Sequence, residues 1–198
     1  MTRVLLIRHG AVEADGRCYG RRRDPALSPL GRGEASALRA RLPERCRAVR
    51  SPARRAAQTA ELLGLGDARV DDRLSERDFG EWEGRAWEDI WAETPASVAT
   101  DPAAYATHVP PGGESLAQVT DRVLEALDAL VGAGTGEPLV VITHGGPVRV
   151  AVAHALGLDA PAMLRLRPST GSLTSLTRWP DDSWTMDRMG AREERTWD

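Results

Sequence analysis

The chain has 198 residues, the length of one ordinary globular domain, and no low-complexity stretch or charge block divides it, so residues 1–198 are read as a single domain. Apolar residues make up 41% and charged residues 28%, enough for a real core and too apolar for intrinsic disorder. The net charge of -3 gives no global attraction to nucleic acid or to an anionic membrane, so any phosphate recognition has to be local to a pocket. All 26 basic residues are arginine, and the absence of lysine excludes both a P-loop and Schiff-base chemistry. Cys18 and Cys46 lack a CxxC spacing, which suits reduced thiols in a cytoplasmic protein and gives no structural zinc site.

Residues 4–7, VLLI, predict a buried strand that stops at Arg8-His9-Gly10. The same interruption leaves no signal-peptide core, and no stretch approaches the roughly 20 apolar residues of a membrane span. A cytoplasmic location without a membrane partner is therefore expected. A basic loop follows through Tyr19-Gly20 and Arg21-Arg22-Arg23, and Ser28-Pro29 opens a helix with Ala35, Leu38 and Leu42 on one face. Residues 48–50 read as a second strand, followed by Ser51 as N-cap and Pro52 at the first position of a helix running to about Leu63. Residues 70–113 lack a clear period and are broken by Pro95, Pro102, Pro110 and Pro111, so the latter part is read as an insertion with short helices. Residues 114–131 restore a helical stripe of Leu116, Val119, Val123, Leu127 and Leu130. A strand at residues 139–142 ends in Thr143-His144-Gly145-Gly146, and Pro147 is expected to start the next helix. Residues 172–179 and 183–189 alternate as a hairpin around Pro180-Asp181-Asp182, and residues 192–198 read as a polar tail.

Strands alternating with helices predict an α/β three-layer sandwich, a mostly parallel central sheet with helices on both faces. Ligands of such sheets bind beyond the carboxyl ends of the strands. The strands at 4–7 and 139–142 end alike, which brings His9 and His144 to one rim. His154 is expected within an apolar helix face and His108 in a proline-rich stretch without a partner, so neither is given a chemical role. Phosphoryl transfer through histidine needs a neutral imidazole, cations on the equatorial oxygens and an acid for the leaving alkoxide. Arg8 adjoins His9, and a second arginine, Arg54 or Arg55, stands on the first turns of a helix. Such cations disfavour imidazolium, and the helix after His144 adds backbone N–H groups for an anion.

RHG near the N-terminus, SPxxRxxQTA, LxExxFGxWEG, GGES and THGG, in that order, resemble the histidine phosphatase superfamily, also called the phosphoglycerate mutase-like family, over nearly the whole chain. The resemblance implies that His9 is the phosphorylated nucleophile and Arg8 a phosphate ligand. It selects Arg55, three residues before Gln58, over Arg54, and it makes Glu76 the proton donor. His144 becomes the second phosphate-binding histidine, with the Gly145 N–H beside it. Asp15 and Arg21 are further expected substrate contacts, and Glu114-Ser115 reads as a capped helix start near the pocket, with Ser115 serving either the scaffold or the substrate. Glu83 is expected to hold its loop in place, and Phe79 and Trp82 to pack. This chain departs from the pattern at Ala11 and Asp15, where many members carry Glu and Asn, and an Asp15 carboxylate would repel phosphate unless protonated or turned to Arg17, Arg21 or Arg22. What the resemblance implies is a metal-independent phosphomonoesterase that needs no cofactor, acts on a small phosphorylated metabolite and is similar to small members acting on α-ribazole phosphate. The alternatives are a mutase, disfavoured by the modest insertion at residues 85–109, and an inactive phosphate-binding module, disfavoured by the presence of both His9 and Glu76.

Overall fold

The VLLI run lies inside β1 (Thr2–Arg8), whose side chains alternate between the two faces of a six-stranded sheet. The computed structural model describes residues 1–13, 16–133 and 136–191, so Asp15 and the tail at 192–198 lie outside the described residues. After β1 come α1 (Pro29–Leu38), β2 (Arg47–Arg50), α2 (Arg54–Leu62) and the two-residue β3 (Arg69–Val70). Three short helices, α3 (Trp87–Glu93), α4 (Ala96–Ala99) and α5 (Pro102–Thr107), make up the expected insertion. The chain continues through α6 (Leu116–Gly132), β4 (Leu139–Thr143), α7 (Gly145–Leu156), α8 (Ala160–Met163), β5 (Ser172–Arg178) and β6 (Trp184–Ala191).

The strand order is β3-β2-β4-β1-β5-β6. Strands β1 to β4 run parallel to one another, while β5 pairs antiparallel with β1 and β6 antiparallel with β5, the expected hairpin. Period-two alternation divides the core. Val4, Leu6, Leu139 and Val141 face α6 and α7, where Val119, Val123, Leu127 and Val152 cover them. Leu5, Ile7, Val140 and Ile142 face α1 and α2, against Leu38, Ala56 and Ala60. Each of these larger aliphatic side chains contributes about 1.5–3 kcal/mol through burial, which explains why the two central strands are apolar without a break. The observed architecture is the three-layer α/β sandwich with a mostly parallel sheet.

Local chemistry sets several helix starts. Ser28 Oγ accepts from Gly31 N and Pro29 opens α1. Ser115 and Gln118 form a reciprocal capping box at α6. Two starts differ from expectation. Helix α2 begins at Arg54, not Pro52, because Ser51 is buried with its hydroxyl against His144 and closes only a short turn to Ala53 N. Helix α7 begins two residues before Pro147, which sits in the first turn where a missing N–H costs nothing. His154 is exposed, its ring edge-on to Trp184 at 6.1 Å, since the buried face of α7 runs through Val148, Ala151 and Val152. His108 has a partner after all: it stacks on Trp82 with ring centroids 5.3 Å apart.

Candidate active site

Strands β1 and β4 are adjacent and parallel, so the residues that follow them emerge at one edge. His9 N donates to Thr143 O at 2.9 Å, and the His9 and His144 rings meet edge-on at 5.1 Å between centroids. The chain leaves His9 through a tight crossing, for a Cβ on Gly10 would collide with the backbone of Gly31 at the start of α1. Glycine at this place lets the loop turn across the helix instead of continuing the strand.

The proton positions follow from the partners. His9 Nδ1 lies 2.8 Å from Gly10 O, which can only accept, so the ring N–H sits at Nδ1 and Nε2 carries the lone pair. Arg55 Nε stands 3.3 Å from His9 Nε2 and 3.2 Å from His144 Nδ1, sharing its N–H between two ring nitrogens. His144 therefore keeps its proton on Nε2, which donates to Ser51 Oγ at 2.7 Å. Burial, then the Arg55 guanidinium, pushes the His9 imidazole down to about 3, with Arg8 adding to the effect and the Gly10 carbonyl opposing it. Burial and then Arg55 hold His144 well below the usual histidine range.

Arg55 is 1% exposed, and its other two nitrogens are anchored: Nη2 to Gly20 O at 2.8 Å, Nη1 to Asp24 Oδ1 at 3.1 Å. Arg54, one residue earlier, is exposed, as the helical register requires. The same helix is tied to the loops around it by Gln58 Oε1, which accepts from Leu27 N, and by Thr59 Oγ1, which accepts from Gly10 N. Glu76 reaches the cavity from the other side. Its Oε1 accepts from Arg77 N and its Oε2 from Gly146 N at 3.1 Å, and a Cβ on Gly146 would collide with Oε1. Arg122 fixes this stretch by donating to the carbonyls of Arg73, Ser75 and Glu76 while forking onto the Glu114 carboxylate.

A cavity of about 800 Å³ opens here, and Arg8, His9, Arg55, Glu76 and Gly145 all line it. Ser115, read as scaffold or substrate contact, and Arg21, expected as a substrate contact, do not. Ser115 is committed to the cap of α6, and Arg21 is exposed with its backbone N–H on Glu83. Glu83 accepts backbone N–H bonds from Arg21, Arg22, Arg23 and Phe79, so one buried carboxylate holds the basic loop in the manner expected of it. Sequence reasoning named Arg17 only as a partner for Asp15 and missed Arg149 and Arg167 on the cavity wall, since a lone arginine in a loop or helix carries no pattern that marks it.

Two neutral buried histidines make folding sensitive to acid. In the unfolded chain each titrates near 6.5, so below that pH the unfolded state binds protons that the folded state refuses. Stability conferred by their neutrality is complete above about pH 6.5 and is lost as pH falls from there toward the folded value, about 3 for His9. His9 is expected to cost on the order of 1 kcal/mol between neutral pH and pH 5.5, with His144 acting in the same direction. Urea unfolding at pH 7.5 and 5.5 checks this, and His9→Ala should reduce the difference.

Adjacent histidines, a desolvated arginine and a carboxylate thus meet at the carboxyl edge of the mostly parallel sheet of an α/β protein. The family model for the histidine phosphatase superfamily (branch 1) matches residues 4–192, and the chain belongs to that family. It is 36% identical over 172 residues to the glucosyl-3-phosphoglycerate phosphatase of Mycolicibacterium vanbaalenii, covering 79% of this chain and 75% of that one. A bifunctional protein of Mycobacterium tuberculosis is 33% identical over 181 residues, 87% of this chain and 49% of the relative. The chain thus spans about half the length of the first curated relatives it matches. The solved structure of a mycobacterial glucosyl-3-phosphoglycerate phosphatase complexed with VO3 superposes with a TM-score of 0.83 at 32% identity, over 96% of this chain and 100% of that one. No helix among the described residues is long and apolar enough to cross a membrane.

Proposed function

We propose that the chain is a phosphomonoesterase working through a phosphohistidine on His9, with Glu76 as proton donor. One observation carries this reading: His9 presents an unprotonated Nε2 to the cavity beside the Arg55 guanidinium, with its Nδ1–H tied to Gly10 O. In the first step the Nε2 lone pair forms a bond to phosphorus as the ester P–O bond breaks, and Glu76 gives its proton to the departing oxygen. In the second step water attacks phosphorus, its proton passes to Glu76, and the P–N electrons return to Nε2. Arg8 and Arg55 face the oxygens that gain charge, and the N–H groups at the start of α7 lie at the same end of the cavity. A cavity of about 800 Å³ admits water once the alcohol has left, which favours hydrolysis over mutase chemistry.

The deciding experiment is a phosphate-release assay on protein dialysed against EDTA, with metal content measured independently. Turnover should survive, because two permanent guanidinium charges occupy the place a cation would take. Activity that vanishes and returns with one particular metal would overturn the arginine-based mechanism. In the same assay, hydrolysis should outrun any conversion of 3-phosphoglycerate to 2-phosphoglycerate, even with 2,3-bisphosphoglycerate supplied.

Glu76→Gln is expected to lower kcat by about 10²-fold for alkyl esters and by less than about tenfold for aryl esters, whose leaving oxygens need no proton. A comparison of the two ester classes on the variant reads the role directly. If Glu81→Gln or Glu83→Gln showed that split and Glu76→Gln did not, the proton donor would be misassigned.

A further inference from the structure

The chain holds nine aromatic side chains: six Trp, two Tyr and one Phe. Five of them, Tyr19, Phe79, Trp87, Trp91 and Tyr105, line the cavity that contains His9. Four form an unbroken row. Phe79 meets Trp87 edge-on at 5.5 Å, Trp87 stacks on Trp91 at 5.4 Å, and Trp91 meets Tyr105 at 5.6 Å. Arg77 closes the row into a bowl, its guanidinium 5.6 Å from the Phe79 centroid and 5.5 Å from that of Tyr105. Arg77 is 3% exposed, with its Nε on Glu114 O and its Nη2 on His108 O, so it pins the bowl, while Arg17, Arg149 and Arg167 stand elsewhere on the cavity wall. Trp82 and Ile90 support the row from beneath, fully buried with Cys18.

Packing against Trp82 and Ile90 accounts for one side of Phe79, Trp87, Trp91 and Tyr105, but these rings and Tyr19 are only half-buried and each also presents surface to the cavity. Their uncovered faces are apolar surface held against water, a state that a complementary ligand relieves. At about 800 Å³ the cavity lies in the upper part of the roughly 300–1,000 Å³ range of pockets that enclose drug-sized molecules. The phosphoryl end, at Arg8, His9, Arg55 and Gly145, takes only one side of that volume. A small polar alcohol such as glycerate or serine would leave the rings wet. We infer that the aromatic bowl is the leaving-group subsite, and that the substrate is a phosphomonoester of an alcohol carrying an aromatic ring or an equally flat apolar body. This rests on the phosphomonoesterase reading and adds the class of substrate to it.

The test compares 3-phenylpropyl phosphate, propyl phosphate and O-phosphoserine. The first two are primary alkyl esters of closely matched leaving-group acidity, so their ratio reads the subsite and not the chemistry. The phenylpropyl ester should exceed the propyl ester by about 30- to 100-fold in kcat/KM, chiefly through KM. Trp91→Ala and Tyr105→Ala should each reduce that ratio below about fivefold, and Trp91→Phe should restore most of it. A ratio does not depend on the fraction of folded enzyme, so partial misfolding leaves the readout intact. Equal kcat/KM for the two alkyl esters, or faster turnover of phosphoserine than of the phenylpropyl ester, would overturn the subsite while leaving the phosphomonoesterase reading standing. If no ester is hydrolysed, that reading fails, and binding of 3-phenylpropylphosphonate against propylphosphonate, followed by tryptophan fluorescence, still decides the subsite. Binding at least tenfold tighter for the aromatic phosphonate supports it, and equal binding overturns it.

Discussion

His9→Ala is expected to lower kcat by at least about 10⁴-fold while leaving the protein folded, because among the described residues no other group in the cavity offers a lone pair in the same place. His144 is the obvious substitute and is unsuited to the task. Its Nε2 proton is given to Ser51 and its Nδ1 faces the Arg55 N–H, so neither nitrogen is free for attack without dismantling the site. Removal of the His9 ring strands no donor, since Arg55 Nε retains His144 as acceptor and Gly10 O loses only one contact. The fold should therefore survive, and circular dichroism with urea unfolding would show it. The direct observable is an acid-labile, base-stable phosphoryl adduct that maps to His9 after rapid quenching with substrate. An adduct on His144, or turnover in the variant within tenfold of the parent, would remove the covalent assignment. The depressed His9 pKa adds a second expectation. With the imidazole pushed down to about 3, the nucleophile stays unprotonated across the physiological range, so kcat/KM should show no acid limb at the usual histidine value near 6.5.

Arg55→Ala should cost about 10²- to 10³-fold in kcat/KM, the scale seen when one preorganised donor to a developing oxyanion is removed from a dry site. The guanidinium is 1% exposed and lies between the two histidines, so its charge acts on transferring oxygens with little screening. Arg55→Lys should recover only part of the loss, because an ammonium cannot span His9, Gly20 O and Asp24 at once. Arg54→Ala provides the contrast. Its side chain is exposed, and its tie to Asp24 runs through the backbone N–H, which alanine keeps, so activity should stay within about threefold of the parent. Inorganic phosphate binding, measured by calorimetry, should weaken in parallel with kcat/KM for Arg55→Ala. A variant that bound phosphate normally yet turned over slowly would shift Arg55 from ligand to scaffold, holding residues 20–24 in place.

Much of the site was legible because its chemistry follows strand ends. Two uninterrupted apolar runs require burial on both faces, which demands helices above and below, and His9 and His144 directly follow these runs. The family resemblance selected Arg55 over Arg54 through the SPxxRxxQTA spacing, and the helical register, which leaves Arg54 exposed, agrees. Local chemistry also marked the Ser28-Pro29 and Ser115 helix starts and the β5–β6 turn. Failures came where a side chain's partner lies far along the chain. Ser51 reads as a helix cap by sequence, but its hydroxyl is claimed by His144, 93 positions later, and α2 starts at Arg54. Arg21 looked available for substrate, whereas it is exposed and its backbone N–H is held by Glu83.

The sequence by itself determined the class of fold, the order of the layers' elements and the identity of the residues that meet at the carboxyl edge, because periodicity, caps and motif spacing are properties of neighbours along the chain. Only the tertiary structure decided which nitrogen of each histidine holds the proton, since that depends on Gly10 O, Arg55 and Ser51 converging on two rings. It also decided that Glu83 would gather four backbone N–H groups and that Arg122 would brace Glu76. The aromatic bowl belongs to the same category: its rings stand at positions 19, 79, 87, 91 and 105, with no common period. Such a surface exists only once loop, insertion and sheet edge have been brought together, because hydrophobic contact acts through space and leaves no signature in sequence separation.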